Sequence, residues 1–323
     1  MQTKTPSLAL RASEGMPAEA PPGAKAGGRT RLGKPRLLIV GCGDIGLGIV
    51  ARLNRRFRIF ATTASPQRCQ ALRAAGAVPV VVNLDGRPPR RLAWLAPRVI
   101  HLAPPPSGGE VDTRVARLLR GLRRAPQAFV YISTTGVYGD RGGAQVDETA
   151  RPAPATDRAR RRLDAERRTR ARPWHAAVVR VPGIYGPGRL PIERLRRAVP
   201  APVPGEDVLT NHIHADDLAR ICIAALFRSA PRRIYNAVDD SCLHLGEYLD
   251  LVADQLGLTR APRLPRAALR LAVSPMQFSF FEESRRLGNR RLKNELRVRL
   301  QYPTVPEGVA AAARSLRNPF KPG

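Results

Sequence analysis

Three glycines carry the most specific chemistry in the sequence. Gly41-Cys42-Gly43-Asp44-Ile45-Gly46 has the spacing G-x-G-x-x-G and follows the apolar run Leu37-Leu38-Ile39-Val40. A short apolar run ending in glycine reads as a buried strand. The residues beyond it, apolar at Ile45, Ile49, Val50 and Leu53, read as a helix from about Asp44 to Asn54. In that context Gly41 permits a tight turn, Gly43 lets the backbone approach a pyrophosphate, and Gly46 lets the helix pack closely on the strand. The helix N-terminus adds unpaired N–H groups and the positive end of its dipole. Gly41, Cys42, Gly43, Asp44, Ile45 and Gly46 are therefore candidates to hold a dinucleotide, NAD or NADP. The bland alternative is an ordinary strand–helix turn.

The choice between the two cofactors turns on the end of the second strand. An NAD site commonly has an acid there, about 20 residues on, to bind the ribose hydroxyls. Here the position is Thr62 or Thr63, and no acid lies between Asp44 and Asp85. A carboxylate would repel a 2′-phosphate, so its absence tilts the reading toward NADP. Arg68 could pair with such a phosphate, or be a solvated helix residue.

The elements that must position this turn follow by pattern. Strands are expected at Leu37–Val40, Arg58–Thr63, Val78–Val82, Val99–Leu102, Phe129–Ile132 and Ala177–Arg180. Helices are expected at about 44–54, 66–75, 111–124 and 156–172. This alternation predicts an α/β protein with a doubly wound parallel sheet. Beyond about Gly183 the pattern loosens. Pro200 to Pro204 reads as a loop, with helices at Asp216–Phe227, Leu245–Leu256 and Pro306–Arg317. The expected organisation is a disordered leader over 1–34, a dinucleotide-binding core over 35–183, and a smaller region over 184–323 that completes a cleft.

Composition narrows the class further. The 323 residues are 43% hydrophobic, as in an ordinary water-exposed globular chain. No apolar run approaches the roughly 20 residues of a membrane helix, and Leu8-Ala9-Leu10 is too short for a secretory signal. Cys42, Cys69, Cys222 and Cys242 form no C-x-x-C pair and read as reduced thiols. A cytoplasmic location is expected. The net charge is +29, of which residues 1–34 carry +4, and only five of the 55 basic residues are Lys. A basic surface attracts phosphate. The arginines are nevertheless spread along the chain, and aromatics, which would stack on single strands, are only 5%. No specific nucleic-acid partner is expected; the arginine content reads as genome composition.

Taken in order, these segments resemble the extended short-chain dehydrogenase/reductase family, the NAD-dependent epimerase/dehydratase group, over about residues 36–310. The subgroup they are most similar to is the atypical one around the bacterial protein YeeZ. After the glycine turn come Leu84-Asp85, where the family contacts adenine, and Leu102-Ala103, which passes the nicotinamide ribose. Ile132-Ser133-Thr134-Thr135-Gly136-Val137-Tyr138-Gly139 is similar to the family's active-site strand. The segment from Arg180 to Gly188, with Pro182 and Tyr185, resembles the one flanking the nicotinamide. Asn211-His212-Ile213-His214-Ala215-Asp216-Asp217 matches a substrate-side motif, and Ile234-Tyr235-Asn236 and Tyr302 to Gly308 match later landmarks.

The resemblance implies a Rossmann-type fold with a smaller C-terminal substrate-binding region, and an NAD(P)-dependent oxidoreductase or epimerase acting on a carbonyl or alcohol, possibly in a sugar or nucleotide sugar. It implies a small-molecule substrate, no membrane, and a monomer or homodimer. In the family a Ser or Thr, a Tyr and a Lys do the chemistry. Thr134 stands where that hydroxyl belongs, or is a strand-end Thr bonding its own backbone. The Tyr-x-x-x-Lys pair is missing, since none of the six Tyr has Lys four residues later. Counting back from Glu166, Arg158 falls at the Tyr position and Arg162 at the Lys position; a register shifted by two gives Thr156 and Arg160. Arg162 could bond ribose as Lys does. Arg158 cannot donate a proton at neutral pH but could grip a carboxylate or phosphate. Tyr138 could replace the lost acid, as could Tyr185. Tyr185, Asn211 and His212 are substrate-side candidates. His212, His214 and Asp216 could suggest a metal, but the motif implies a strand–helix junction capped by Asp216 or Asp217, so no metal is expected. Pro104 to Gly109 either lines the cleft or is simply a loop. A cofactor-binding sensor or scaffold without turnover is the alternative.

Overall fold

The computed structural model describes residues 33–86, 92–122 and 124–317; most of the expected leader lies outside them. The described residues from Lys34 onward form one compact unit. Seven strands build its main sheet: β1 (Arg36–Val40), β2 (Arg58–Thr63), β3 (Val78–Val81), β4 (Arg98–His101), β5 (Ala128–Thr134), β6 (Ala176–Val181) and, after two short strands named below, β9 (Ile234–Asn236). Their order is β9-β6-β5-β4-β1-β2-β3, and every pair is parallel. The chain moves outward from β1 through β2 to β3, then returns to the other side of β1 as β4. The carboxyl ends of β1 and β4 are thus the switch point, where open α/β sheets bind ligands.

Helices cover both faces because successive strand residues point to opposite sides. Leu37 and Ile39 pack with α1 (Asp44–Leu53) and α5 (Ala215–Arg228), while Leu38 and Val40 pack with α3 (Thr113–Gly121) and α4 (Asp157–Arg170). The shorter α2 (Cys69–Ala74) contributes Leu72 to the first face. Burial of both faces explains why these strands read as continuous apolar runs.

Beyond β6, a second apolar cluster joins Tyr185, Leu195, Leu249, Val252, Val305 and Val309, the last four from α6 (Leu245–Leu256) and α7 (Val305–Arg317). Two short parallel strands, β7 (Gly183–Tyr185) and β8 (His212–His214), link it to the sheet. β9 comes from beyond residue 183, so the sheet and the C-terminal region interleave along the chain. Two features depart from the sequence reading. Ala201–Pro202, expected as loop, pairs with Arg263–Leu264. Short helices at Leu92–Leu95, Arg266–Ala272, Pro275–Phe278 and Arg290–Asn294 were not anticipated, being too brief for a 3.6-residue period to register. No helix among the described residues is long and apolar enough to cross a membrane.

Candidate functional site

The glycine turn lies at the switch point. Gly41 has φ +79°, and a Cβ there would sit 2.5 Å from Ala103 Cα, so the turn packs directly against the end of β4. Its N–H donates to Thr62 Oγ1 at 2.9 Å, and the Cys42 N–H to Thr62 O at 2.9 Å. Thr62 therefore braces the turn from β2. A Cβ at Gly46 would lie 2.7 Å from Cys42 Sγ and 3.4 Å from Leu102 Cδ1, which closes the helix onto the strand ends. Gly43 differs: nothing lies within 4 Å of a Cβ placed there. It precedes α1 as the cap residue with no side chain satisfying the first-turn N–H groups. The result is an open concavity lined by unpaired donors, which fits the pyrophosphate of a dinucleotide. Burial pushes the Cys42 thiol up to about 11, so it serves as packing beneath the turn. Half-buried Ile45 joins the core, and exposed Asp44 pairs with Arg189 at 3.0 Å, a contact not anticipated from sequence.

Around this concavity the remaining cofactor candidates separate. Thr63 Oγ1 is engaged in a turn with Ser65, bonding its N–H at 3.1 Å. Arg68 is exposed and close enough to Cys42 for its charge to act on the thiol. Half-buried Leu84 precedes Asp85, whose carboxylate is taken by Arg114 at 2.8 and 2.6 Å and is held below the usual carboxylate range by that hydrogen-bonded guanidinium. Arg114 also donates to Pro104 O at 3.1 Å, tying down the start of the Pro-rich loop. Leu102 and Ala103 both donate backbone N–H to Val40 O. Pro182 is half-buried just past Val181, the register partner of Thr134.

Thr134 ends β5, half-buried, and its Oγ1 accepts from the Gly136 N–H at 3.2 Å. The backbone-bonding alternative thus describes its acceptor side, and Oγ1 donates no hydrogen bond among the described residues. Arg162 reaches from α4 to the ends of β4 and β5, donating from Nη1 to Ala103 O (3.3 Å), Tyr131 Oη (3.2 Å) and Ile132 O (2.8 Å). In the shifted register both residues are engaged. Thr156 caps α4, accepting from Ala159 N at 3.3 Å, and Arg160 pairs with Asp157 at 2.6 Å. Arg158, one turn before Arg162, is exposed.

Several expectations are corrected. Tyr138 does not face the cleft: it is fully buried, its hydroxyl donates to Asn236 Oδ1 at 2.8 Å, and burial raises its pKa. The 3-10 turn Thr135–Tyr138 rotates it inward. Tyr185 is also fully buried, its hydroxyl directed to Thr304 O at 3.3 Å. Asn211 bonds Arg285 O and the Leu287 N–H, holding a distant strand in place. His212 stacks on Tyr248 at 4.3 Å, and burial lowers its pKa to about 4. The cap of α5 is His214, whose Nδ1 accepts from Asp216 N at 3.2 Å. Asp217 instead accepts from the N–H groups of Gln301 and Tyr302, both at 2.8 Å. No metal-ligating cluster occurs among the described residues.

Sequence reasoning missed the support beneath α4. Glu166 and Arg180, each with side chains 2% exposed, pair at 2.7 Å, and Ser133 Oγ donates to Glu166 at 2.5 Å. Arg180 also lies over the Tyr138 ring at 4.6 Å. This network fixes α4 against β5 and β6. Its signal was an acid mid-helix among arginines, with a lone arginine in an otherwise apolar strand.

A parallel α/β sheet with a glycine turn at its switch point defines a Rossmann-type dinucleotide-binding protein. The sequence model of the NAD dependent epimerase/dehydratase family matches residues 113–237. No curated protein matches the chain. Among solved structures, a functionally unknown conserved protein from Silicibacter pomeroyi DSS is 32% identical, with a TM-score of 0.76 over 87% of this chain and 99% of that one. A UDP-glucose 4-epimerase from Thermotoga maritima, solved with UDP-glucose, is 17% identical, with a TM-score of 0.71 over 88% and 100%. A UDP-glucuronic acid 4-epimerase from Bacillus cereus, in complex with NAD, is 16% identical, with a TM-score of 0.69 over 88% and 100%. The chain belongs to the NAD-dependent epimerase/dehydratase family of extended short-chain dehydrogenases.

Proposed function

We propose that the chain is an NAD(P)-dependent oxidoreductase or epimerase-like enzyme of the atypical, YeeZ-like type, acting on a carbonyl or alcohol. One observation carries the reading. The open glycine turn at β1, Thr134 at the end of β5 and Arg162 between β4 and β5 converge on the same edge of the sheet. Gly41 to Gly46 would hold the pyrophosphate, and the bound cofactor would supply hydride transfer. Thr134 would donate to the substrate oxygen, and Arg162 would hold the ribose hydroxyls. The UDP-glucose bound by the Thermotoga epimerase supports a sugar or nucleotide sugar as the substrate class. The NAD bound by the Bacillus epimerase supports NAD as a cofactor for this fold. Exposed Arg68 beside an acid-free β2 supports NADP for this chain. Four free cysteines support a reducing, cytoplasmic setting, and the chain is proposed as a monomer or homodimer.

Titration with NADPH and NADH, followed by nicotinamide fluorescence, tests the first step. Binding of either supports the reading, and Arg68→Gln should weaken NADPH alone. Absence of binding by both would defeat it. A second reading, cofactor binding without turnover, is favoured by the burial of Tyr138 and Tyr185, neither of which offers a phenol to the cleft. Hydride transfer to any carbonyl in a panel, abolished by Thr134→Ala, would exclude it.

A further inference from the structure

All strands of the main sheet run the same way, so their starts lie along one edge, opposite the glycine turn. In sheet order from β2 to β9, every strand begins at or just after an arginine: Arg58, Arg36, Arg98, Arg124, Arg172 and Arg232. None of these has an acid partner among the described residues; the neighbouring Arg233 is the one that pairs, with Glu295. The connections that enter the strands, 54–57, 96–97, 122–127, 171–175 and 229–233, contain no Asp or Glu. Those that leave them at the other edge include Asp85, Glu110, Asp140, Asp147, Asp239 and Asp240. Charge is thus segregated by edge. Basic residues at helix C-termini answer the helix dipole, but Arg36, Arg58 and Arg98 are strand residues.

The same edge gathers aromatic rings. Both tryptophans are there, Trp94 shortly before β4 and Trp174 shortly before β6. The Arg124 guanidinium lies 4.9 Å from the centre of the Trp94 ring, Arg172 5.6 Å from Trp174, Arg98 5.8 Å from Phe227 and Arg58 5.5 Å from Phe60. Trp94 and Phe227 are 58% and 45% exposed. Aromatics are few in this sequence, yet the fold sets these among the unanswered arginines.

We propose that this amino edge is a docking face for single-stranded nucleic acid, bound without sequence preference, with phosphates along the arginine row and bases on the exposed rings of Trp94 and Phe227. Strands about 4.8 Å apart make the row roughly 24 Å long, enough for about four nucleotides. An acidic protein or an anionic bilayer would answer the charge alone. A single strand answers both charge and rings, because each nucleotide brings a phosphate and a π-face. The face is independent of the cofactor reading and leaves the cleft at the carboxyl edge free.

The test is fluorescence anisotropy of a labelled oligo-dT of about 12 nucleotides, titrated with the full chain at about 0.15 M salt. The wild type is expected to bind, with affinity falling as salt rises. Arg36→Glu and Arg58→Glu should each weaken binding by about tenfold, and Arg151→Glu by less than about twofold. Arg151 is an exposed, equally unpaired arginine in the loop that leaves β5 at the other edge, so it carries the same charge change. Trp94→Ala should weaken binding by about fivefold or more and leave the salt slope unchanged. Because Arg36 and Arg58 lie within the sheet, Arg124→Glu, in a connection outside it, decides the result if either variant misfolds. Saturating oligonucleotide should leave any NADH affinity unaltered. No binding by the wild type, or equal losses in Arg58→Glu and Arg151→Glu, overturns the proposal. Competition with NADH would put the strand in the cofactor cleft and overturn it as well. Co-sedimentation with phosphatidylserine vesicles, without oligonucleotide binding, would assign the edge to a membrane surface instead.

Discussion

Substituting Gly41 and Gly43 separates folding from cofactor binding. At Gly41 an added Cβ meets three Ala103 atoms at 2.5 to 2.6 Å, two of them backbone, and φ is +79°. The left-handed backbone costs an alanine about 1–2 kcal/mol, and overpacking against a fixed strand end adds about 1–3 kcal/mol. Gly41→Ala is therefore expected to lose about 2–5 kcal/mol, a fall in Tm of roughly 4–20 °C at about 2–4 °C per kcal/mol. At Gly43 the backbone is extended, with φ −88°, and the Cβ meets nothing within 4 Å. Gly43→Ala should change stability by about 1 kcal/mol at most, the scale of a weak cap substitution. The same methyl fills the space facing the unpaired N–H groups of α1, so NADH or NADPH affinity should fall by about tenfold or more, equal to about 1.4 kcal/mol. Thermal unfolding and fluorescence titration of both variants measure the two effects. A Gly43→Ala protein that binds either dinucleotide as tightly as the wild type would refute the assignment of pyrophosphate to this concavity. A Gly41→Ala protein as stable as the wild type would refute the packing argument.

Three further outcomes follow from buried groups. Glu166→Gln strips the charge that faces Arg180 and should cost about 3–5 kcal/mol in urea unfolding; a loss below about 1 kcal/mol would show that the pair is dispensable. His101 is fully buried with both ring nitrogens unpartnered, and burial, then Arg162, lowers its pKa from 6.5 to about 3. The folded chain stays neutral there while the unfolded chain takes up a proton, so this contribution is complete above pH 6.5 and is lost as pH falls toward 3. His101→Phe should thus gain about 2 kcal/mol relative to the wild type between pH 7 and pH 5, and a constant difference across that range would contradict the buried neutral imidazole. Among the cysteines, exposed Cys242 should react fastest with a thiol reagent. Buried Cys42 and Cys222, raised by burial to about 11 and about 12, should react only on unfolding. Rapid labelling of Cys42 in the native protein would mean that the turn opens.

The sheet was legible because its signal is local. Each strand from β1 to β6 is an apolar run that needs no partner to be recognised, and the glycine spacing places the ligand end. Side-chain direction was less legible. Tyr138 lies four residues after Thr134, and both belong to one motif, yet a single 3-10 turn sends Tyr138 to Asn236, 98 positions away. Asn211 likewise looked like a substrate ligand because its segment borders the cleft. Its actual partners, Arg285 and Leu287, come from a strand that no local pattern announced. Motifs specify which segments reach the cleft; long-range packing decides which face of each segment looks into it.

The same reasoning changes what the charge of +29 means. Read as composition, arginine spread over the whole chain dilutes any single position, and Arg158 is indistinguishable from Arg160 two residues later. The structure separates them by partner. Arg160 faces Asp157 and Glu110, Arg168 faces Asp164, and Arg114 faces Asp85, so those guanidinium groups are electrostatically spent. Arg162 instead donates to carbonyls at the ends of β4 and β5, and exposed Arg158 has no acid partner among the described residues. A residue type can be abundant for reasons unrelated to function and still be functional where its charge goes unanswered. For this chain the informative quantity is which arginines the fold buries, and Arg162, 7% exposed, reaches the ends of β4 and β5 at the carboxyl edge of the sheet, where the glycine turn already favours an anion.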